Sequence, residues 1–155
     1  MSATCCQISY GLLQERLALD KISKERRSRN MSRIRSRDTA LEIAVRKRLF
    51  ALGLRYRLRS SLPGHPDIVF PRKKVAVFIN GCFWHMHGCE LSTIPSTRTK
   101  FWSEKLSRNE KRDHEVARKL RKMEWKVVTL WECEINKQLR QEIRKILKAI
   151  SFTSD

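Results

Sequence analysis

A long segment without helical or strand periodicity, residues 81–99, most constrains how this chain can fold. It is rich in Gly, Pro, Ser, Thr, Cys and His. Because long structureless segments are uncommon inside a domain, this one needs an internal source of order. Cys82, His87 and Cys89 lie within it, and Cys133 directly follows a predicted strand. Four such ligands suit a closed tetrahedral zinc site, so we predict a structural zinc ion that ties the segment to that strand.

Two alternatives remain open at this point. The cysteines can be small buried side chains at the edge of a core, as free cysteines often are. His85 can also be the imidazole ligand in place of His87, since the local spacing does not separate the two. Cys5 and Cys6 lie in a stretch without pattern and are predicted to be bystanders.

Helical and strand patterns alternate over the rest of the chain. The predicted elements are a helix from a cap at 38–39 to Gly53, strands at 54–58, 67–70 and 75–79, a helix at 102–123, a strand at 125–131 and a helix at 136–150. Residues 71–74 predict a hairpin turn, and the nearly apolar run at 75–79 predicts a central strand. The order indicates an α/β domain with a small mixed sheet flanked by helices.

The chain has 155 residues, which is the size of one ordinary domain. We assign no function to residues 1–20 and place a single domain at 21–155. Its first part, residues 21–37, is a basic arm with eight Lys or Arg side chains against one Glu. Such an arm can order along a phosphate backbone, which makes Arg29 and Arg33 candidate DNA contacts.

The charge balance favours a polyanionic partner. Lys and Arg number 34 against 16 Asp and Glu, a formal net charge of +18, and neutralising phosphates contributes much of nucleic-acid affinity. The alternatives are a merely soluble basic surface or a peripheral membrane binder. A transmembrane protein is excluded because no apolar run approaches the roughly 18 residues required. The first ten residues lack a secretory pattern, so we expect a cytoplasmic protein with reduced cysteines.

Asp67 and His85 are the first candidates for catalysis. Asp67 opens a predicted strand, where its carboxylate could hold Mg²⁺ beside a scissile phosphate, although a Pro-Asp pair is often simply a turn. His85 could act as general base near neutral pH. Glu42 and Asp113 fall where their helices should be apolar, and an inward carboxylate is costly unless it is paired or bound to metal. Glu42 also fits a capping box with Thr39.

Aromatic residues surround the predicted zinc ligands. Phe83 and Trp84 lie in the irregular segment, and Trp102 follows the basic Arg98 and Lys100. Aromatic rings embedded in positive charge suit stacking on bases or wedging between them. Packing around the metal is the alternative, and for Trp102 it is as good an explanation as base contact.

Taken together, these residues resemble the very-short-patch repair (Vsr) family of DNA mismatch endonucleases, which nick 5′ to the thymine of a T:G mismatch. The resemblance runs from about residue 24 to about residue 150. Its motifs include Gly-Cys-Phe-Trp-His at 81–85 and Trp-Glu-Cys at 131–133, and the matching stretches are 29–42, 62–67, 77–89, 97–102 and 131–133.

The resemblance implies a restriction-endonuclease-like fold in which Asp67 and the backbone carbonyl of Ile79 hold Mg²⁺. It implies that His85 is the general base, supported by Glu42 and Asp113. It further implies that Cys82, His87, Cys89 and Cys133 bind structural zinc, and that Phe83, Trp84 and Trp102 insert beside the mismatch. The Asp-(x)ₙ-Glu-x-Lys pattern of ordinary restriction enzymes is missing, and Asn80 stands where Asp or His is expected.

The first functional hypothesis is therefore a Mg²⁺-dependent endonuclease acting on T:G mismatches that arise by deamination of 5-methylcytosine. Its partner is double-stranded DNA, other mismatch-repair proteins are further candidates, and we expect a monomer. A zinc-containing module that senses DNA distortion without cutting is the second hypothesis. A sequence-specific restriction-type nuclease is the third. Asp67 and His85 discriminate the first two, because a pure binder needs neither.

Overall fold

A computed structural model describes residues 37–151, together with Ser23, Glu25, Arg26, Ser28 and Arg29. The N-terminal extension and most of the predicted basic arm, including Arg33, lie outside the described residues. Within the described part the chain forms a mixed α/β arrangement of three strands and three long helices.

The strands form one mixed sheet. They are β1 (Ile68–Phe70), β2 (Val75–Asn80) and β3 (Lys126–Trp131), in the order β1-β2-β3. β1 pairs with β2 antiparallel through a turn that includes the 3₁₀ segment Pro71–Lys73, and β2 pairs with β3 parallel. The predicted hairpin and central strand are confirmed. Because β2 and β3 are parallel, their carboxyl ends adjoin, with Asn80 opposite Trp131.

The helices are α1 (Ala40–Ala51), α2 (Thr99–Lys122) and α3 (Glu132–Ser151). Thr39 and Glu42 form the predicted capping box at the start of α1, and Gly53 follows its end in a left-handed conformation. The last helix begins four residues before the predicted start at 136, directly after β3. It is interrupted at Gln138, whose backbone is not helical.

The strand predicted at 54–58 is wrong. One isolated bridge, between Arg57 and Val69, is the β pairing that this segment makes within the described chain. The alternation has a different origin, since Leu54 and Tyr56 pack against the core while their neighbours are exposed. β1 has three residues and so offers little backbone for a further strand.

The two faces of the sheet have different neighbours. Val77, Val128 and Leu130 pack into the main hydrophobic core with side chains of α1 and α3. Val127 and Thr129, which alternate with them along β3, instead line a cavity shared with α2. The helices described here include none that is long and apolar enough to cross a membrane.

Gly64 holds the loop before β1 against α2, and we expect its replacement to be costly. Its φ is +76°, and a Cβ built there would lie 2.4 Å from Cγ1 of Val116. Gly64→Ala should therefore combine left-handed backbone strain with overpacking, together about 2–4 kcal/mol, and lower the melting temperature.

Gly53→Ala is the matched control. Gly53 has a similar φ of +79° but nothing within 4 Å of its Cβ position, so this variant carries the backbone strain alone. Adding Val116→Ala should restore part of the stability lost in Gly64→Ala and none of that lost in Gly53→Ala. Equal melting temperatures for the two glycine variants would contradict the packing argument.

Candidate active site and metal centre

A cavity of about 1090 Å³ opens between the start of α1, one face of the sheet and α2. Its walls include all four carboxylate and imidazole residues predicted for catalysis, Glu42, Asp67, His85 and Asp113, and also Ile79. These residues come from α1, the start of β1, the irregular segment and α2. The fold therefore gathers into one space side chains that are up to 71 positions apart in the sequence.

Asp67 lies where β1 meets the end of β2. Its Oδ2 accepts a hydrogen bond of 2.7 Å from the backbone N–H of Ile79. Burial raises the pKa of the Asp67 carboxyl, and the nearby Glu42 carboxylate raises it further, against the lowering effects of the Ile79 N–H and of Arg46. The protein groups around Asp67 therefore do not fully offset the cost of burying its negative charge. A bound cation would offset the rest, which suits a carboxylate that serves as a metal ligand.

His85 lies against Asp113 of α2. The Nδ1 atom of His85 contacts the Oδ2 atom of Asp113, and both side chains are partly exposed. The Arg112 guanidinium lies 3.7 Å from the other carboxylate oxygen of Asp113. With Nδ1 held by a carboxylate, Nε2 is the ring nitrogen left to exchange a proton.

Glu42 is buried, with 5% of its surface exposed. Its carboxylate accepts hydrogen bonds from Thr39 Oγ1 at 2.9 Å and from the backbone N–H of Asp38 at 3.2 Å, and it pairs with the Arg46 guanidinium. Glu42 therefore closes the predicted capping box, which is confirmed, and it also lines the cavity.

Cys82, His87, Cys89 and Cys133 form a cluster whose ligand atoms all lie within 4.8 Å of one another. His87 Nδ1 is 3.6 Å from Cys82 Sγ and 3.3 Å from Cys133 Sγ. A tetrahedral zinc site has ligand-to-ligand distances of about 3.5–3.8 Å, so the donor set fits a metal ion. His85 is not among these residues.

The thiols of this cluster differ in acidity. Burial raises the pKa of Cys82 to about 12, so at neutral pH this thiol keeps its proton until a cation displaces it. A hydrogen bond with His87 lowers the pKa of Cys89 to about 6.

Three consecutive residues at the end of β3 hold the irregular segment. Trp131 stacks on the His87 ring at 4.2 Å between centroids. Glu132 Oε2 accepts a hydrogen bond of 3.1 Å from the Cys82 N–H, and the Cys133 N–H lies 3.4 Å from Cys82 Sγ. Sequence reasoning missed Glu132, and the available signal was its place between Trp131 and a metal ligand.

A cluster of aromatic rings lies beside the cavity. Phe83 contacts both Trp84 and Trp102 edge to face, at 5.0 and 5.3 Å between ring centroids. Trp102 is buried, with 8% exposed, whereas Phe83 and Trp84 are half-buried. The Trp102 ring therefore supports the other two by packing.

Further polar and basic side chains surround these rings. Lys105 Nζ lies 5.3–5.8 Å from the centroids of Trp84, Trp102 and Phe101, and Asn109 Nδ2 donates to the Trp84 carbonyl at 3.0 Å. Sequence reasoning did not single out Phe101, Lys105 or Asn109. Arg98 lies over the Phe101 ring at 4.7 Å, while Lys100 and Arg29 are exposed.

Comparison with known proteins gives one consistent family. The model of the family "DNA mismatch endonuclease Vsr" matches residues 19–91. The type II nicking enzyme V.XorIIP of Xanthomonas oryzae pv. oryzae is 42% identical over 131 residues, covering 83% of this chain and 96% of that protein. The DNA mismatch endonuclease Vsr of Escherichia coli K12 is 42% identical over 117 residues, covering 75% of each chain. The type II nicking enzyme V.NmeAIP of Neisseria meningitidis is 40% identical over 134 residues, covering 84% and 96%.

These similarities extend well beyond any single motif and cover most of the chain. They confirm the resemblance drawn from the residues, and the chain belongs to the Vsr family of DNA mismatch endonucleases.

Proposed function

We propose that this protein is a Mg²⁺-dependent endonuclease that nicks DNA 5′ to the thymine of T:G mismatches produced by deamination of 5-methylcytosine. The observation that carries the proposal is a single cavity lined by Asp67, His85 and Asp113 with an aromatic cluster at its side. The names of the relatives, a mismatch endonuclease and nicking enzymes, support the same class of reaction.

In this proposal His85 is the general base. Its Nε2 accepts a proton from the water that attacks the scissile phosphate. The bond from phosphorus to the 3′ oxygen breaks, and the departing 3′ oxygen takes up a proton from solvent water. Asp113 holds Nδ1, which keeps the proton-accepting nitrogen fixed. Glu42, which pairs with Arg46, lines the same cavity, and its carboxylate is the group proposed to orient water there.

Asp67 and the Ile79 carbonyl are the residues we propose to hold Mg²⁺. The Asp67 carboxylate already reaches the Ile79 backbone through a hydrogen bond, and its raised pKa marks a charge that a cation would stabilise. A bound Mg²⁺ ion would neutralise charge that develops on the phosphate. Asp67 directly precedes β1 of the hairpin, and Ile79 lies on the central strand β2. On the basis of this arrangement we propose a restriction-endonuclease-like fold.

Zinc is the ion we propose for the cluster of three thiols and one imidazole, because this donor set is the one that zinc prefers in closed structural sites. The ion would keep the segment that bears Phe83, Trp84 and His85 against β3. Its role is therefore structural, and the four ligands leave no open position for substrate.

For DNA recognition we propose that Phe83 and Trp84 act at the mismatch, with the buried Trp102 ring supporting them from behind. A wobble pair is less well stacked than a matched pair, so a ring can wedge beside it at lower cost. Arg98 and Lys100 lie close in sequence to this aromatic cluster, and with Arg29 and Arg33 they are proposed phosphate contacts.

A second candidate is nicking at a specific sequence without a mismatch, which is suggested by the relatives named as type II nicking enzymes. The same cavity would serve the chemistry, and the difference would lie in how bases are read.

One assay separates these functions. A labelled duplex with a single T:G mismatch should be nicked 5′ to the thymine in Mg²⁺, while the matched T:A duplex should be cut at least about 100-fold more slowly, because unstacking a matched step costs about 3 kcal/mol more. Equal cutting of both duplexes would favour the sequence-specific nicking enzyme. Tight mismatch binding without cutting would contradict the endonuclease proposal.

A further inference from the structure

We infer that Glu132 is a positioning residue that joins the metal cluster to the catalytic cavity. Its carboxylate lines the cavity and also accepts the backbone N–H of Cys82, the first ligand of the cluster. The catalytic consequence rests on the proposed function above, whereas the structural coupling does not.

The sheet places Glu132 at this point. Since β2 and β3 are parallel and in register at Asn80 and Trp131, the chain leaves both strands at the same edge. A Cβ at Gly81 would lie 3.7 Å from Glu132 Oε2 and 3.2 Å from the Trp84 ring. The Cβ position of Gly81 thus lies next to both the Glu132 carboxylate and the Trp84 ring.

Glu132 differs from Glu42 and Glu134 in its partner and resembles Asp67, whose carboxylate also accepts a main-chain N–H. Glu42 pairs with Arg46, and Glu134 pairs with Lys145. No Lys, Arg or His side chain of the described residues forms an ion pair with Glu132. Its half-buried charge is instead directed at a main-chain amide, and hydrogen bonds from an amide to a carboxylate are among the stronger ones in proteins.

This bond fixes a degree of freedom that metal ligation leaves open. An ion at the cluster would fix the Cys82 sulfur. Rotation about the side-chain bonds would still let the Cys82 backbone take several positions relative to that sulfur. The bond to Glu132 fixes the amide of the same residue. With both ends held, the path to His85, three residues further on, is determined, and the His85 ring meets Asp113.

The test compares Glu132→Gln with Glu132→Ala in the zinc-loaded full-length protein. The Gln side chain keeps an oxygen that can accept the Cys82 N–H but loses the charge, whereas Ala loses both.

We expect one zinc per chain in each protein. Hydrogen exchange of the peptide spanning 81–89 should be faster in Glu132→Ala alone. Single-turnover nicking of the T:G duplex should fall by about 10²-fold in Glu132→Ala, as expected when reacting groups are misplaced by about 1 Å, and stay within about threefold of wild type in Glu132→Gln.

Glu134→Ala is the control, because it removes a carboxylate from the same helical turn that pairs with Lys145. It should leave exchange at 81–89 and nicking unchanged.

Slow exchange with normal nicking in Glu132→Ala would overturn the inference. Loss of zinc in that variant would also overturn it, since Glu132 would then act on the cluster itself. A Gln variant as impaired in nicking as Ala would show that the charge matters rather than the bond. If wild type fails to nick any T:G duplex, the proposed function fails, while the exchange comparison still decides whether Glu132 positions the segment.

Discussion

Replacing Asp67 with Asn is expected to abolish nicking while making the protein more stable. The Asn side chain can still accept the Ile79 N–H through its oxygen, so the hairpin geometry should persist. The charge that would bind Mg²⁺ is lost. We expect the single-turnover rate on the T:G duplex to fall by about 10³-fold or more, which corresponds to about 4 kcal/mol of transition-state stabilisation. Affinity for the mismatch should be unchanged or tighter, because a negative charge near phosphate is removed.

The gain in stability follows from the raised pKa of Asp67. Below the ordinary Asp pKa the side chain is neutral in both the folded and the unfolded chain. As pH rises, the unfolded chain ionises first, and the wild-type protein loses stability until pH passes the raised folded pKa. The Asn variant has no such loss. In buffer without Mg²⁺, its advantage in melting temperature should therefore grow as pH rises from the ordinary Asp pKa to the raised folded pKa and then remain constant.

Glu115→Gln provides the comparison, since Glu115 is an exposed carboxylate on α2. Neither its nicking rate nor its melting temperature should depart from wild type. Retained nicking in Asp67→Asn would remove Asp67 from the catalytic role. An advantage in melting temperature that is independent of pH would mean that burial of the carboxylate is not its source.

The sequence predicted correctly those parts of the fold that depend on contacts between residues close together in the chain. The capping box of Thr39 and Glu42 is a contact between residues three apart, so the sequence pattern contains it completely. The hairpin of β1 and β2 likewise depends on neighbouring residues. The strand predicted at 54–58 failed because Leu54 and Tyr56 alternate to pack on a core built elsewhere, and a period of two does not reveal whether a partner strand exists.

The residues that lie together in the site were predictable from their type, and the contacts between them were not. Cysteine, histidine and carboxylate residues announce their possible roles by type, which made Asp67, His85 and the cluster visible. Which histidine meets the thiols depends on how the segment turns after β2, and the residue pattern alone left that open. The position of Glu132 next to a candidate metal ligand was visible in the sequence, but its contact with the Cys82 N–H was not. That contact comes from a parallel register that brings residue 82 beside residue 132.

Cys133→Ser is expected to have the largest effect on the folded state. A serine hydroxyl does not ionise near neutral pH and is a poor zinc ligand, so zinc should fall well below one per chain. Because binding of a structural zinc contributes directly to folding free energy, we expect the melting temperature to drop by at least about 10 °C. Nicking should be lost with it, since His85 lies in the segment that the cluster holds. Zinc content, thermal melting and hydrogen exchange at 81–89 measure the three effects.

A double variant, Cys5→Ser with Cys6→Ser, removes the two thiols that the sequence predicts to be bystanders and should keep zinc, melting temperature and nicking. Full zinc content in Cys133→Ser, or a melting temperature within about 2 °C of wild type, would contradict the structural role of the cluster.

The acidities of the cluster add a test that does not depend on activity. Since burial raises the pKa of Cys82 to about 12, that thiol must release a proton when zinc binds at any pH near neutrality. Cys89, whose pKa His87 lowers to about 6, has largely lost its proton by pH 8. Each proton released on binding strengthens the apparent zinc affinity tenfold per pH unit. Competition with a chelator, corrected for the chelator's own change in zinc affinity between pH 7 and pH 8, should therefore show zinc held at least about tenfold more tightly at pH 8. A pH-independent corrected affinity would show that the buried thiol is not a ligand.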